Sequence, residues 1–470
     1  MKFDDYVNQI SSQLIQTTQE LVRIRSVEEN PVEGGPFGQG VKDCLEKTLE
    51  ICSSLGFYTK NVDGYAGYAE IGEGEDLIGI LVHLDVVPEG DGWSYAPYSG
   101  KIVDGKLYGR GSTDNKGPAV SVIYALHLLK ELNVDFKKRI RIIFGCNEES
   151  GWKGIKYYFE KEEKPCCGFT PDGLFPIINS EKGILQVQLT GDFNESALQY
   201  PLKLIRLKGG LRPNMVPDYC ECELYVKPEL HRNIEKIIRK YQNNKDLNIE
   251  LKGDVCKIES RGIAVASSIP EKGKNAISEI LKLLMELPFA ESSQSKMVRF
   301  ISENIGQEID GKKIGLQMKD EISGPLTVNL GMADFNENRG AVTLDIRYPV
   351  KSKESEILQR LKQSVEKTGI SVVKSEGKAP LYVPKDHFII KKLSQIYEEV
   401  TGTEATLLSI GGGTYARAMD NIVAFGSLFP GRPILAHQKD EFLYIEDLIK
   451  MTKIYAPAIQ ALVEDDSHWS

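Results

Sequence analysis

DLIGILVHLDVVPEGDGW (76–93) decides the fold. Its first half is a near-continuous apolar run, which reads as a strand buried on both faces, as in parallel sheets. The run then gives way to His83, Leu84 and Asp85. Residues two apart on a strand share a face, so an imidazole and a carboxylate project together from the strand's end. Open α/β sheets bind their ligands beyond the carboxyl ends of the strands. RIRIIFGCNEE (139–149) repeats the layout, an apolar strand running into Glu148 and Glu149. Neighbours on a strand point opposite ways, so one acid can bind a metal while the other faces a substrate, as ligand and general base.

Working outward, PAVSVIYALHLLKEL (118–132) predicts a helix opened by Pro118. Residues 6–24 and 38–55 also carry helical spacing of apolar positions. Helices alternating with strands predict an α/β layer with a mainly parallel sheet. The middle of the chain reads differently. ECELYVKPELHRNIEKIIRKYQ (221–242) and TLDIRYPVKSKESEILQRLKQSV (343–365) share one layout of strand, polar break and helix, a weak internal repeat. After Pro384 the α/β pattern resumes, with helices expected near 386–400 and 445–463. The expected organisation is a discontinuous catalytic domain, 1–183 plus 381–470, with 184–380 inserted as a domain of two pseudo-symmetric halves.

Hydrophobic residues make up 41% and charged residues 27%, with a formal charge of -9 and a pI near 5.5. That balance suits a soluble globular chain, and without a basic block nucleic acid and anionic membrane are poor partners. No apolar run approaches the ~20 residues of a spanning helix. The N-terminal stretch has early acids and no continuous apolar core, so an amphipathic helix is expected rather than a signal peptide. Eight cysteines without a CxxC pair fit reduced thiols and a cytoplasmic setting.

Three further residues complete a constellation. Asp114 lies in GRGSTDNKGP (109–118), at a glycine-flanked turn where it is either a helix cap or a functional carboxylate. Asp172 lies in TPDG (170–173) and His437 in ILAHQKDEF (434–442). Two histidines and three carboxylates suit Zn²⁺, Mn²⁺ or Co²⁺. Five ligands exceed one catalytic site with an open position. With one carboxylate bridging they serve two divalent ions, typically ~3.5–4 Å apart.

Together HLDVVPEGDGW (83–93), GRGSTDNKGP, NEES (147–150), PDG and the late His437 resemble the M20 metallopeptidases, the aminoacylase-1/carboxypeptidase G2 type, and among them the monomeric bacterial dipeptidases of the PepV type. The resemblance implies a two-domain di-metal peptidase fold, an α/β catalytic domain with a mixed sheet and an α+β lid. It implies that His83 and Asp172 hold one ion, Glu149 and His437 the other, and Asp114 both. It implies that Asp85 orients His83, that Glu148 activates the bridging water, and that Asp114–Asn115 is a cis peptide. Substrate contacts follow from NMVPD (214–218), LDIRYP (344–349) and IGGGTYARAM (410–419): Asn214, Arg347, Gly412, Gly413 and Thr414. The implied activity is hydrolysis of dipeptides or short peptide-like substrates by a monomer, with N-acyl amino acids as the alternative.

One departure matters. The family reads AHxSxP in the lid, where the histidine helps stabilise the oxyanion. Here the stretch is AVASSIPEKGKNA (264–276), with Ala266 at that place. His127, His231, His387 and His468 offer no replacement. Loss of one oxyanion donor costs ~10²–10³ in rate, so a weakened, re-targeted or inactive homologue is a further reading.

Overall fold

The computed structural model describes residues 2–193 and 200–464; His468 lies outside them. The chain forms two compact units. The first comprises Met1–Asn179, Tyr382–Leu408 and Gly413–Ser470, and the second Ser180–Leu381 with Ser409–Gly412.

In chain order the first unit opens with α1 (Lys2–Val22), α2 (Gln39–Ser54), β1 (Tyr58–Val62), β2 (Ala66–Ile71), β3 (Leu77–His83), β4 (Lys101–Val103), β5 (Lys106–Tyr108), α3 (Gly117–Glu131), β6 (Arg139–Gly145), α4 (Lys153–Lys161), β7 (Cys167–Thr170) and β8 (Ile177–Glu181), where the chain passes to the second unit. That unit contains β9 (Gly183–Asp192), β10 (Leu202–Gly209), β11 (Tyr219–Val226), α5 (His231–Tyr241), β12 (Leu247–Lys252), β13 (Val255–Arg261), α6 (Ala276–Leu284), α7 (Ser293–Ile301), the short pair β14 (Lys319–Asp320) and β15 (Gly324–Pro325), β16 (Thr327–Phe335), β17 (Arg339–Tyr348), α8 (Glu354–Val365) and β18 (Ser371–Lys378). The return segment supplies β19 (Leu381–Tyr382), α9 (Phe388–Thr401), β20 (Leu407–Ile410), β21 (Ile422–Ala424), β22 (Phe442–Tyr444) and α10 (Ile445–Val463).

The large sheet of the first unit runs β1-β2-β6-β3-β7-β21-β8-β19, with β20 beside β8. It is mixed, as the resemblance implies, rather than mainly parallel as the alternation alone predicts. The centre β6-β3-β7-β21 is parallel, β2 and β8 join it antiparallel, and β1 pairs antiparallel with β2. Every residue of β3 is buried, as its unbroken apolar run requires. α3 is buried on nearly all sides and packs against α1 and α10, so its apolar residues encircle it instead of forming one stripe.

Two expectations of strand length need correction. β3 stops at His83 and β6 at Gly145; Glu148 and Glu149 sit in a turn. Their side-chain directions are therefore set by turn geometry, not by alternation along a strand.

The second unit has an antiparallel sheet ordered β12-β13-β11-β10-β16-β17-β9-β18. Read outward from the central β10–β16 pair, the two halves match: β10-β11-β13-β12 and β16-β17-β9-β18. In each, a helix (α5 or α8) leads from the second strand to the outermost. The segments 221–242 and 343–365 cover β11 with α5 and β17 with α8. β11 and β13 alternate buried and more exposed residues, because only one face of the sheet meets the helical layer. Leu185, Leu204, Leu224, Ile258, Ile280, Met297 and Leu344 contribute to that unit's core.

The core of the first unit contains an aromatic cluster. Phe425 is fully buried and meets Phe169, Phe175 and Tyr455 at centroid distances of 5.7, 5.3 and 6.0 Å. Phe425→Ala should cost about 3–5 kcal/mol, measured as a lower denaturant midpoint with an unchanged m-value. A midpoint within error of wild type would contradict this packing.

Candidate active site

Register brings the chemistry together. β3 and β6 pair in parallel with His83 opposite Gly145, and β7 lies parallel on the other side of β3. The strands therefore end side by side, with Glu148 and Glu149 just past β6 and Asp172 just past β7. Asp114 comes from the turn before α3. That turn passes close to the segment after β3 through Gly111 (φ +84°), where a Cβ would meet Val86 Cγ1 at 2.7 Å. His437 arrives from the last third of the chain at φ 65°, a backbone setting uncommon for residues other than glycine.

The Asp114 carboxylate lies between two imidazoles. His83 Nε2 is 3.0 Å from Oδ1 and His437 Nε2 is 3.3 Å from Oδ2. His437 Nε2 is also 3.0 Å from Glu149 Oε2, and His83 Nε2 is 3.7 Å from Asp172 Oδ2. Two sets of ligand atoms, from His83, Asp114 and Glu149 and from His83, Glu148 and Asp172, each lie within 4.8 Å of one another and could hold a metal ion. His83 is buried, whereas His437 is half-exposed. Asn115 Nδ2 donates to Pro171 O at 2.8 Å and Asp172 Oδ1 at 3.3 Å, joining the Asp114 and Asp172 turns. The Asp114–Asn115 peptide is cis.

Asp85 does something the sequence did not suggest. His83 Nδ1 is 2.9 Å from the Asp85 carbonyl oxygen and 3.6 Å from its carboxylate. The carboxylate instead accepts the backbone N–H of Glu148 (3.0 Å) and of Glu149 (3.0 Å), one on each oxygen. It fixes the turn that carries both acids.

The electrostatics fit a cation-binding centre. Burial and then the Asp172 charge push the Glu148 carboxyl well above its usual range, and burial with Asp114 raises Glu149 to about 7. Burial also raises Asp172. Burial opposes the charge on both histidines, yet the surrounding carboxylates outweigh it. Asp172, Asp114 and Asp85 hold His83 well above its ordinary value, and Asp114 and Glu149 raise His437 to about 11. Asp114 goes the other way: despite burial, His437 and His83 lower it. Without cations, protons offset the crowding of acids; divalent ions would do so more directly.

A sequence profile of peptidase family M20/M25/M40 matches residues 79–461, a span containing every residue named at this centre. The chain belongs to this family. It is 39% identical over 456 residues to "Putative dipeptidase YtjP" of Bacillus subtilis (strain 168), covering 96% of this chain and 97% of that protein. Its fold resembles human carnosine dipeptidase 1 (TM-score 0.61, 16% identity, 98% of each chain). It also resembles the aminoacylhistidine dipeptidase of Vibrio alginolyticus (TM-score 0.58, 16% identity, 96% of each chain).

Of the remaining expected residues in this M20 chain, Thr414 is buried and caps a helical turn, accepting Ala416 N–H at 3.1 Å, and Gly413 precedes it. Asn214, Arg347 and Gly412 belong to the second unit. Asn214 is exposed. Its segment is pinned by the buried Asn329, whose amide donates to Pro213 O (2.9 Å) and Met215 O (2.8 Å). Arg347 is buried and largely spent. Nε and Nη2 donate to the two Asp345 oxygens, Nη2 also to Ser267 Oγ (3.0 Å), and Nη1 to Gly411 O (2.8 Å). Of a guanidinium's five N–H groups, these bonds leave one. Ala266 is exposed and bridges to Met215.

The other described histidines have structural settings. His127 lies in α3, His231 begins α5, and His387 caps α9 by accepting Ile389 N–H at 3.4 Å. The eight cysteines are free, and no helix among the described residues is long and apolar enough to cross a membrane.

Asp85→Asn would present an amide NH₂ to a backbone N–H. It should weaken divalent-ion binding about 10–100-fold, as expected for loss of an outer-shell partner. Calorimetric titration of metal-stripped protein checks this; unchanged affinity would show that the turn holds itself.

Proposed function

We propose that this M20 peptidase is a dipeptidase whose centre holds two divalent ions. The observation that carries the proposal is the Asp114 carboxylate, with one oxygen toward His83 and the other toward His437. In this reading His83 and Asp172 hold one ion, Glu149 and His437 the second, and Asp114 both. Zinc is the first expectation, with manganese or cobalt fitting the same donors. When bound, the ions polarise the scissile carbonyl and lower the pKa of water.

Glu148 is assigned as general base. Its carboxylate takes a proton from the attacking water as the C–O bond forms. It returns that proton to the amine nitrogen as the C–N bond breaks. A carboxyl whose proton affinity is raised by burial and by Asp172 is a stronger proton acceptor than an exposed glutamate, which suits that exchange. Asp85 holds the Glu148–Glu149 turn in register. Asn214, the remaining Arg347 N–H, Gly412, Gly413 and Thr414 are proposed substrate contacts, with the second unit acting as a lid. A small peptide substrate is supported by the 39% identity to a protein named as a dipeptidase. A cytoplasmic monomer is the expected setting, supported by the free thiols and by the doubled second unit.

The first test is amino-acid release from a panel of dipeptides and N-acyl amino acids, with Mn²⁺ or Zn²⁺ and again after chelation. Dipeptide cleavage lost on chelation and regained on adding the ion is expected. Cleavage of acyl amino acids alone would move the assignment to an amidohydrolase. Glu148→Gln should lower kcat by about 10²–10⁴ while the ions still bind.

Ala266 supports a weaker enzyme as the second reading. Ser267 beside it is engaged by Asp345 and Arg347 and offers no substitute donor. Ala266→His, at an exposed position, should raise kcat on dipeptides by up to ~10²–10³. Unchanged turnover on every substrate cleaved would show that no donor is missing.

A further inference from the structure

The loops that carry Asp114 and His437 meet at a buried ion pair that has no part in the chemistry above. Glu441 is fully buried. Its Oε2 accepts from Arg110 Nη1 (2.8 Å) and Gly111 N (3.0 Å). Its Oε1 accepts from Thr113 N (2.9 Å), Thr113 Oγ1 (2.9 Å) and Asp114 N (3.3 Å). The carboxylate thus gathers the backbone of 111–114, ending on the N–H of Asp114 itself. Glu441 is also four residues after His437, and its own carbonyl accepts Gly109 N–H at 2.9 Å.

Arg110 extends the tie. It is 2% exposed. Nη1 also donates to Gln438 O (3.2 Å), next to His437, and Nη2 to Pro88 O (3.4 Å) and Glu89 O (3.3 Å), in the loop that follows His83 and Asp85. Its guanidinium carbon lies 5.3 Å from the centre of the Trp93 ring. One pair therefore joins three loops, each leading to a proposed ligand, and every contact lies within the first unit.

We infer that Glu441, through Arg110 and the 111–114 backbone, is the positioning residue that sets the Asp114–His437 spacing and thereby the affinity for divalent ions. It touches neither substrate nor ion. A structural group elsewhere in the unit would affect stability alone, whereas Glu441 must affect metal affinity beyond any loss of stability. Glutamine at 441 keeps the shape, but its NH₂ must face either Arg110 and Gly111 N–H or Thr113 and Asp114 N–H.

The inference rests on the di-metal reading, and the experiment separates the two. Full-length protein, stripped of divalent ions, is titrated calorimetrically with Mn²⁺, and the stripped forms are melted in parallel. Glu441→Gln is compared with Glu70→Gln, which breaks the Arg141–Glu70 pair of the same unit (2.6 Å), away from the three loops. Wild type is expected to take up two ions. Glu441→Gln is expected to raise at least one Kd about 10–100-fold, and Glu70→Gln to leave both unchanged even at an equal drop in Tm. Wild-type affinities in Glu441→Gln, or an equal loss in Glu70→Gln, overturn the inference and leave the di-metal reading intact. No uptake by wild type overturns both. Should Glu441→Gln not fold when stripped, Thr113→Val removes only the hydroxyl contact. A several-fold higher Kd is then expected, and an unchanged one overturns the inference.

Discussion

Everything at the end of the first unit's sheet is arranged around the repulsion of acids. Asp114, Glu148, Glu149 and Asp172 converge on two imidazoles, within hydrogen-bonding and near-contact distances. Two like charges ~4 Å apart repel by about 4 kcal/mol at an effective dielectric of 20, so such a group persists only if something positive offsets it. In the protein alone, the raised proton affinities of Glu148, Glu149 and the two histidines act in that direction. The parallel register of β3, β6 and β7 forces the acids together, and the fully buried β3 and largely buried α3 keep the strand ends from spreading.

What each acid does follows from what already donates to it. Asp85 and Glu441 have their oxygens filled by backbone and side-chain N–H groups. They hold loops and have little capacity left for an ion. Asp114, Glu148, Glu149 and Asp172 keep lone pairs facing the centre. The Asp114 backbone N–H is given to Glu441 while its carboxylate stays between the imidazoles, so one residue links scaffold and centre.

That division explains what was legible in the sequence. The strands, their endings in polar residues and the last helix at 445–463 follow from apolar runs and their punctuation. The repeat at 221–242 and 343–365 follows from residue order, and the sheet is symmetric about β10 and β16. The partner of a carboxylate is not written locally. Arg110 and Glu441 stand 331 positions apart, and GRGS and KDEF look like ordinary polar loops until the fold closes. Glu148–Glu149 looked like a strand end because CysAsn continues an apolar run only weakly broken; the Asp85 carboxylate captures both N–H groups and makes a turn instead. The mixed sheet follows from the family resemblance and not from the alternation of helices and strands, which reads as mainly parallel because it does not register that β2 and β8 run against the central strands.

The second unit shows the limit of reasoning by residue type. LDIRYP presents Arg347, which the resemblance places among the substrate contacts. Yet Asp345 two residues earlier shares its face of β17, and the pair close on each other and on Ser267. Arg347 also donates to Gly411 O, at the glycine-rich segment where a Cβ on Gly411 would meet Ser268 Cβ at 2.5 Å. A guanidinium so committed is first a brace for the 409–412 segment; recognition through it can use only the N–H that remains. A bidentate fork, the usual reason for choosing arginine over lysine, is therefore turned inward toward Asp345, and whatever selectivity this residue lends to a substrate carboxylate must come from the segment it holds in place.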